Sequence, residues 1–437
     1  MRSRHPRPPL PAGPFAVVGL ARSGVAAALA LRAAGEEVIG IDAGHPEAAG
    51  LQEAGVEVHR DTLGTELVAR ARTVVKSPGV PAGAAAIAAA RARGMTVFGE
   101  LELAWRLIPN PFIAVTGTNG KTTTTELIGH IHREAALPSA VAGNVGTAVA
   151  SLAGALAPDA VVIAETSSFQ LEDTEGFAPD AAVLLNLAPD HLDRHGTMEA
   201  YRAAKMEAFA RQQAGDVAVV AEGLDVPGEA ERVVFGTGAS ARMAARAGRL
   251  WWDGEPLLEL ADLALRGPHN VLNAMAAAAV SLARGVDRDA VRAGLRTFPG
   301  VPHRLEEVAR RDGVLYVNDS KATNVASALV ALASFPPGSV HLIAGGRAKG
   351  EDYRALREAV AERTAAVYLI GEAAGELAAA LRGAAELHRS GDLRTAVAAA
   401  RAAARPGQVV LLSPAVASFD QYPDYEARGE HFRALAR

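Results

Sequence analysis

Short runs of consecutive apolar residues recur along the chain. Each is followed by a polar or glycine-bearing loop and then by an alanine-rich stretch of helical period. Apolar runs bounded by turn signals are the pattern of strands buried on both faces, and their alternation with helical stretches predicts βαβ units and parallel sheets. In residues 1–99, "FAVVGL" predicts a strand, "SGVAAALALRAAG" a helix stopping at Gly35, "EEVIGID" a second strand, and "TVVKSPGV" a strand running into a loop. After "LELAWRLIPNP" the rhythm restarts with "FIAVTG" and continues through "AVVIAETSS", "AAVLLNL" and "DVAVVAE". A third restart, near "GVPHRLEEV", brings "VLYVNDS", "VHLIAGG", "AAVYLIG" and "QVVLLSP". The expectation is an α/β protein of three domains, 1–99, 100–299 and 300–437. One uncharged run, residues 135–158, predicts a loop plus an amphipathic helix, with Val145, Val149, Leu152 and Leu156 at helical spacing. Its Ala, Gly and Ser content, with Pro138 and Asn144 inside, argues against a membrane span.

Composition narrows the function classes. The chain has 437 residues, 49% hydrophobic and 21% charged, with a net charge of −5, so nothing suggests a nucleic-acid scaffold. Zero cysteines exclude disulfides, thiolate metal sites and thiol nucleophiles. The basic, proline-rich start "MRSRHPRPPLPAGP" has no apolar run with a cleavage site after it, so no signal peptide is expected and the cytoplasm is. Of 44 Lys+Arg, only five are lysines: Lys76, Lys121, Lys205, Lys321 and Lys349. Arginine is the generic cation here, so each lysine calls for a reason.

The sharpest motif is "VTGTNGKTTTTEL", a strand, a glycine-bearing loop, Lys-Thr and a helix. Backbone N–H groups of Gly117, Thr118, Asn119 and Gly120 and the helix N-terminus at Lys121, Thr122 and Thr123 suit phosphate. Lys121 can reach terminal phosphates and Thr122 can ligate Mg²⁺. "VVGLARSGVAA" is a degraded dinucleotide fingerprint, Gly19, Ala21, Gly24, with Asp42 ending the next strand; a close-packed helix–strand turn explains it equally well. Glu165 in "IAETSSFQL" stands where an acidic residue holds Mg²⁺ in many P-loop enzymes. Asp190, His191, Asp193 and His195 follow another strand and divide evenly between ligands and a helix cap. In "GVPHRLE", Arg304 could address phosphates. In "NDSKATN", Asp319, Lys321 and Thr323 precede a helix that Asp or Ser would cap, and Lys349 lies on a glycine-rich loop. Lys205, in "EAYRAAKMEAFA", shares a helical face with Tyr201, Ala204, Ala208 and Phe209; it is either a snorkelling side chain or a buried amine of lowered pKa.

Taken together, GTNGKT, ETSSFQ, DHLDRH, YRAAK, HNVLNA, PHR, NDSKATN, GGRAKG and SPAVASFDQ…RG, in this order over nearly the whole chain, resemble the Mur ligase family. The resemblance implies a Rossmann-like N-terminal domain for a UDP-substrate, a P-loop-type ATPase central domain and a third α/β domain closing on ATP and D-glutamate. It implies ATP-dependent phosphorylation of the carboxylate of UDP-N-acetylmuramoyl-L-alanine, then attack on the acyl phosphate by the amine of an amino acid. The implied catalytic set is Lys121, Glu165, His191, Lys205 and Arg304. The cofactors implied are ATP, Mg²⁺ at two sites held by Thr122, Glu165 and His191, and a carbamylated Lys205. Asn270, Asn273, Arg304 and Asp319 match ATP-side positions; Arg22, Ser23, Asp42, Ser77, Gly79, Asn144 and His191 match UDP-substrate contacts. Lys321, Thr323, Lys349, Ser418 and Tyr425 match D-glutamate contacts. Relatives often carry a small or apolar residue at Arg22 and commonly Phe at Tyr425. The SFDQ…RG ending, with no D-N-P-R stretch, points to the glutamate-adding branch. A monomer with small-molecule substrates, and neither nucleic acid nor membrane insertion, is expected. Three other readings fit less well. A folylpolyglutamate-type ligase would place its ATPase domain first. An oxidoreductase would need the missing glycine. A regulatory homologue without chemistry would not need Lys121, Glu165, His191 and Lys205 together.

Overall fold

The computed structural model describes Ser3 and residues 5–47, 49–265, 267–348 and 350–437. Lys349 therefore lies outside the described residues. The chain packs into two compact units: residues 1–263 with 269–298, and residues 264–268 with 299–437.

Among the described residues the first unit holds two sheets. The N-terminal sheet comprises β1 Phe15–Val18, β2 Val38–Ile41, β3 Glu57–His59, β4 Thr73–Lys76 and β5 Thr96–Gly99. All are parallel, in the order β3-β2-β1-β4-β5. The central sheet comprises β6 Phe112–Thr116, β7 Ser139–Gly143, β8 Val161–Glu165, β9 Ala181–Leu184, β10 Val217–Ala221, β11 Glu231–Gly236, β12 Met243–Arg246, β13 Arg249–Trp252 and β14 Glu255–Glu259. Its order is β14-β13-β12-β11-β10-β9-β6-β8-β7, and only the β12–β13–β14 edge is antiparallel. The second unit holds β15 Glu306–Arg311, β16 Val314–Asn318, β17 Val340–Gly345, β18 Thr364–Ile370, β19 Leu387–Gly391 and β20 Val409–Leu412. Its order is β15-β16-β20-β17-β18-β19, with β15 alone antiparallel. Strands expected from continuous apolar runs form where expected, since a strand covered by helices on both faces needs no polar alternation.

Residues 135–158 depart from the expected amphipathic helix. They form β7, paired in parallel with β8, and a single 3₁₀ turn, Val149–Leu152. Gly143 and Gly146 take positive φ (129° and 77°), which breaks any continuous helical face. Val149 and Ala150 instead join a core with Ala26 and Ala30, Trp105, Phe112 and Phe177. That core joins the two sheets of the first unit. The N-terminal segment lies on the same body. His5 Nε2 sits 2.9 Å from Asp216 Oδ2, and Ser3 Oγ donates to Asp180 Oδ2 (3.1 Å). The Arg7 guanidinium stacks 4.4 Å from the Trp105 ring and donates to the carbonyls of Ile108 and Asn110. The carboxylates here are already committed to backbone donors, Phe112 N to Asp180 and Gln213 N to Asp216, as suits a clasp.

The "VVGLARSG" turn is tightly packed, a feature that both readings of it share. An added Cβ at Gly24 would lie 1.8 Å from the Gly19 carbonyl oxygen, so this turn is tight and glycine is required for contact between helix Arg22–Ala33 and β1. Gly24→Ala is expected to destabilise by about 3 kcal/mol or more, the upper end of overpacking costs. Gly83→Ala, which meets nothing within 4 Å, should leave the urea midpoint unchanged; equal midpoints for both variants would refute this packing account.

Candidate active site

The carboxyl ends of β9, β6 and β8 are neighbours, and in open α/β sheets ligands bind at such ends. β6 runs into Gly117, and helix Lys121–Glu134 starts after Gly120. Gly120 is left-handed (φ 85°), and a Cβ there would lie 2.1 Å from Asn273 Oδ1, so both backbone and space demand glycine. Asn273 Nδ2 donates to Asn270 Oδ1 (3.0 Å), which places both asparagines of "HNVLNA" beside the loop. Asn119 N donates to Asn186 Oδ1 (2.9 Å) and Asn186 Nδ2 returns a bond to Asn119 O (3.0 Å). Asn186 is a residue the motif reading missed; its signal is an amide directly after the apolar strand "AAVLLNL". Thr118 Oγ1 takes the Ala188 N–H (3.0 Å) and lies 3.1 Å from the Tyr201 hydroxyl. Thr122 and Thr123 are buried in the first turn of the helix.

Two amines meet one carbonyl here. Lys121 Nζ donates to Gly117 O (3.0 Å) and Thr118 O (2.9 Å), and Lys205 Nζ donates to Gly117 O (2.8 Å). Lys205 sits in helix Met198–Met206, capped by Thr197, and is 1% exposed, with Nζ 4.5 Å from the Tyr201 ring centroid. Snorkelling is excluded, because its head does not reach water. Burial first, and the charge of Lys121 second, push its amine down to about 7, against the pull of Asp190. Glu165, buried at the end of β8, accepts from Asn144 Nδ2 (3.3 Å), and Asn144 N donates to Glu165 O (2.9 Å).

The Asp190–His195 stretch does not act as one cluster. His191 is exposed, with positive φ (52°), ahead of the one-turn helix Leu192–His195, and it makes no side-chain cap. Its Nε2 is 3.5 Å from Asp190 Oδ2 and its ring 4.8 Å from Phe169. His195 turns inward, Nε2 to Ser168 Oγ (2.9 Å), and burial lowers its pKa. Asp193 is exposed. In the N-terminal sheet, Arg22, Ser23, Asp42, Ser77 and Gly79 gather at the carboxyl ends of β2, β1 and β4. Asp42 Oδ2 accepts from Leu20 N (2.6 Å) and Oδ1 from Gly44 N (2.8 Å), so its carboxylate shapes the turn. Ser77 is buried, and Arg22 Nη1 lies 3.4 Å from Gly146 O.

In the second unit, Asp319 follows β16 and is buried. Its carboxyl is pushed up to about 7 by burial, against donors Ser413 Oγ (2.8 Å) and Leu305 N (3.2 Å) and the charge of Arg304. Arg304 Nε is buried without a hydrogen bond among the described residues. Lys321 Nζ lies 5.7 Å from the Tyr425 ring, Thr323 N donates to Lys321 O (2.8 Å), and Ser418 is buried. The expected Asp or Ser cap is corrected: Asn324 caps helix Val325–Ala333 through Ser327 N (2.8 Å). Asp319 is spent on Ser413, and Ser320 Oγ is spent on Tyr425 O (2.8 Å). Arg428 and Gly429, the "RG" of the ending, acquire roles that spacing alone could not show. Arg428, 1% exposed, donates to Ser320 Oγ and Ser320 O (both 2.9 Å), and a Cβ at Gly429 would lie 2.1 Å from His303 Nδ1. A cavity of about 160 Å³ at the amino-terminal end of β6, lined by Phe112, Leu137 and Arg284, lies away from all these groups and is not assigned as the site.

Comparison with known proteins fits this geometry. Residues 14–99 match a Mur ligase MurD-like N-terminal domain, residues 115–281 a Mur ligase middle domain, and residues 303–416 a Mur ligase glutamate ligase domain. A UDP-N-acetylmuramoylalanine–D-glutamate ligase of Acidobacterium capsulatum is 42% identical, covering 96% of this chain and 95% of that protein. One of Myxococcus xanthus is 44% identical, covering 96% and 97%. The chain belongs to the Mur ligase family. Among solved structures, a UDP-N-acetylmuramate–alanine ligase of Thermotoga maritima superposes with a TM-score of 0.61 at 19% identity over 96% of this chain and 98% of that one. A MurF ligase of Thermotoga maritima, solved with ADP, superposes with a TM-score of 0.59 at 18% identity over 92% and 94%. These two show the Mur ligase fold. No described helix is long and apolar enough to cross a membrane.

The Lys205 environment has a pH signature. Its folded-state value of about 7 lies below the ordinary 10.5, so the penalty for burying its charge is fully present below about pH 7 and is relieved as pH rises from 7 to 10.5. In CO₂-free buffer, Lys205→Met is therefore expected to stabilise the chain most at and below pH 7, its advantage shrinking toward pH 10.5. Urea midpoints of the two proteins across this range check it; a difference that does not vary with pH would contradict it.

Proposed function

We propose that this chain is an ATP-dependent amide ligase that joins D-glutamate to UDP-N-acetylmuramoyl-L-alanine in peptidoglycan-precursor synthesis, acting as a cytoplasmic monomer. The observation that carries the reading is the pair of amines, Lys121 and Lys205, on the Gly117 carbonyl of a phosphate-type loop, in a chain more than 40% identical to D-glutamate ligases.

A carboxylate is a poor acyl donor because its leaving group would be oxide. The L-alanine carboxylate oxygen attacks the γ-phosphorus of ATP, the bond to ADP breaks, and an acyl phosphate forms. The D-glutamate amine then attacks the acyl carbon, a tetrahedral intermediate forms, phosphate leaves and the nitrogen gives up a proton. Charge on the moving phosphoryl must be neutralised throughout. Gly117, Thr118, Asn119, Gly120, Lys121, Thr122 and Thr123 are assigned to the ATP phosphates. Lys121 turns from the loop carbonyls to phosphate oxygens, and Arg304, Asp319, Asn270 and Asn273 complete the ATP-side set. Thr122, Glu165 and His191, with Lys205, would hold Mg²⁺ at two sites. Their oxygen donors are the hard ligands that ion prefers, and the imidazole is a workable further ligand. Bound there, Mg²⁺ supplies further charge neutralisation at the phosphates.

Lys205 fits this set only after a change of sign. As an ammonium it would repel a metal. As a buried neutral amine its nitrogen lone pair can attack CO₂, forming an N–C bond and releasing one proton, and the resulting carbamate is an anion. Its remaining N–H keeps the bond to Gly117 O. The UDP-substrate is assigned to Arg22, Ser23, Asp42, Ser77, Gly79, Asn144 and His191, and D-glutamate to Lys321, Thr323, Lys349, Ser418 and Tyr425. Residues 1–99, 100–299 and 300–437 are assigned as the UDP-substrate, ATPase and closing domains.

The test is phosphate release from ATP with UDP-N-acetylmuramoyl-L-alanine, adding D-glutamate, L-glutamate or meso-diaminopimelate separately. Only D-glutamate is expected to stimulate release. Stimulation by meso-diaminopimelate alone would move the chain to another Mur-type ligase, and no stimulation by D-glutamate would overturn the reading.

A further inference from the structure

Lys76 is one of the five lysines, and the family resemblance gives it no task. It ends β4, is 0% exposed, and places Nζ 2.6 Å from Asp173 Oδ2 and 3.7 Å from Glu172 Oε1. It also donates to Val80 O (2.9 Å), so it closes the Ser77–Val80 turn, which Val80 N already crosses to Ser77 O (3.0 Å). A second cation reaches the same turn from the central sheet's side. Arg194 Nη1 donates to Pro78 O (2.8 Å), and Nη2 donates to Glu172 Oε1 (2.7 Å) and lies 3.4 Å from Val80 O. The Arg194 guanidinium lies 4.0 Å over Phe169, whose ring is also 4.8 Å from His191 and 5.3 Å from His195. The other Glu172 oxygen is 3.7 Å from His195 Nδ1. Two cations and two carboxylates thus bridge a turn of the N-terminal sheet to the segment that carries His191.

We propose that Lys76, Glu172 and Arg194 form a positioning relay that holds the Ser77–Val80 turn and the His191–His195 segment as one body, so that occupancy of the turn by the UDP-substrate sets the imidazole of His191. The inference rests on the proposed function, which assigns the turn to the UDP-substrate and His191 to the metal side. Three features argue for more than structural glue. Lys76 and Arg194 reach outward to the turn carbonyls 78 and 80, and Arg194 and Glu172 reach the rings at 169 and 195, while Asp173 lies 3.9 Å from the half-exposed Arg91 rather than in an apolar core. Arg194 donates to carbonyls and a carboxylate in three directions, which a single-headed lysine could not do. The charges are partly buried, so the network resists intermediate arrangements and moves as a unit. These are positioning residues, because none is assigned a contact with a reacting atom.

Coupling is what the experiment reads. Calorimetric titration of the full chain with Mg²⁺ and a non-hydrolysable ATP analogue, with and without saturating UDP-N-acetylmuramoyl-L-alanine, gives the coupling factor. The expectation is about ten-fold tighter nucleotide binding with the UDP-substrate present, within the usual range of site-to-site coupling. Arg194→Met is expected to reduce this factor to near one, and Arg194→Lys to restore part of it. A merely structural Arg194 would lower thermal stability and leave the factor intact, which would overturn the relay. If Arg194→Met does not fold, Glu172→Gln, which keeps the side chain's shape, decides in the same way. A wild-type chain that binds both ligands without coupling also overturns the relay while leaving the functional reading standing. A wild-type chain that does not bind the UDP-substrate overturns that reading and the relay with it.

Discussion

The account turns on the desolvation of one amine. Lys205 is enclosed on a helix face with Tyr201 and Ala204, and among the described residues its amine donates to the Gly117 carbonyl that Lys121 also uses. Two ammonium groups on one carbonyl oxygen repel, and burial removes the water that would soften that repulsion. The result is an amine lowered to about 7, neutral in large part near that pH, beside the loop we assign to the ATP phosphates. An arginine, charged at any accessible pH, could not take this state. The rarity of lysine in a chain that otherwise uses arginine acquires a physical reason at this position.

The rest of the first unit makes that enclosure possible. β6 must end where β8 and β9 end, so that Gly117, Glu165 and Asn186 emerge at one edge. Gly120 must be glycine so that Asn273 can approach the loop. Helix Met198–Met206 must press Tyr201 against Thr118, which brings Lys205 over the loop. The N-terminal segment and the shared core of Ala26, Trp105 and Val149 fix the N-terminal sheet to the same body, and with it the turn at Ser77. The second unit repeats the logic with a carboxyl: Asp319 is buried, raised toward neutrality and faced by an arginine.

Much of this was legible in order, and the exceptions have causes. Strands such as β6, β8 and β17 are continuous apolar runs and need no context. β7 hides in an alanine- and glycine-rich stretch whose few bulky residues happen to fall at helical spacing, and only pairing with β8 reveals it. The antiparallel edge β12–β14 is short and charged, so no run marks it. Candidate residues carried by local motifs, Lys121, Glu165 and Lys205, could be singled out from type and neighbourhood. Asn186, Arg194 and Arg428 could not, because their meaning lies in carbonyls brought to them by other elements. The 1.8 Å approach at Gly24 explains that glycine by packing, which both readings of the degraded pattern at Gly19–Gly24 require. The helix cap at Asn324 was misplaced because the nearer Asp319 and Ser320 are committed elsewhere.

The most direct measurement of the central claim is carbon-13 NMR of the protein equilibrated with ¹³C-labelled bicarbonate. The account predicts one carbamate resonance at stoichiometric intensity, absent from Lys205→Met and lost on acidification as the amine is protonated. A wild-type spectrum without that resonance, or one that Lys205→Met retains, would contradict it.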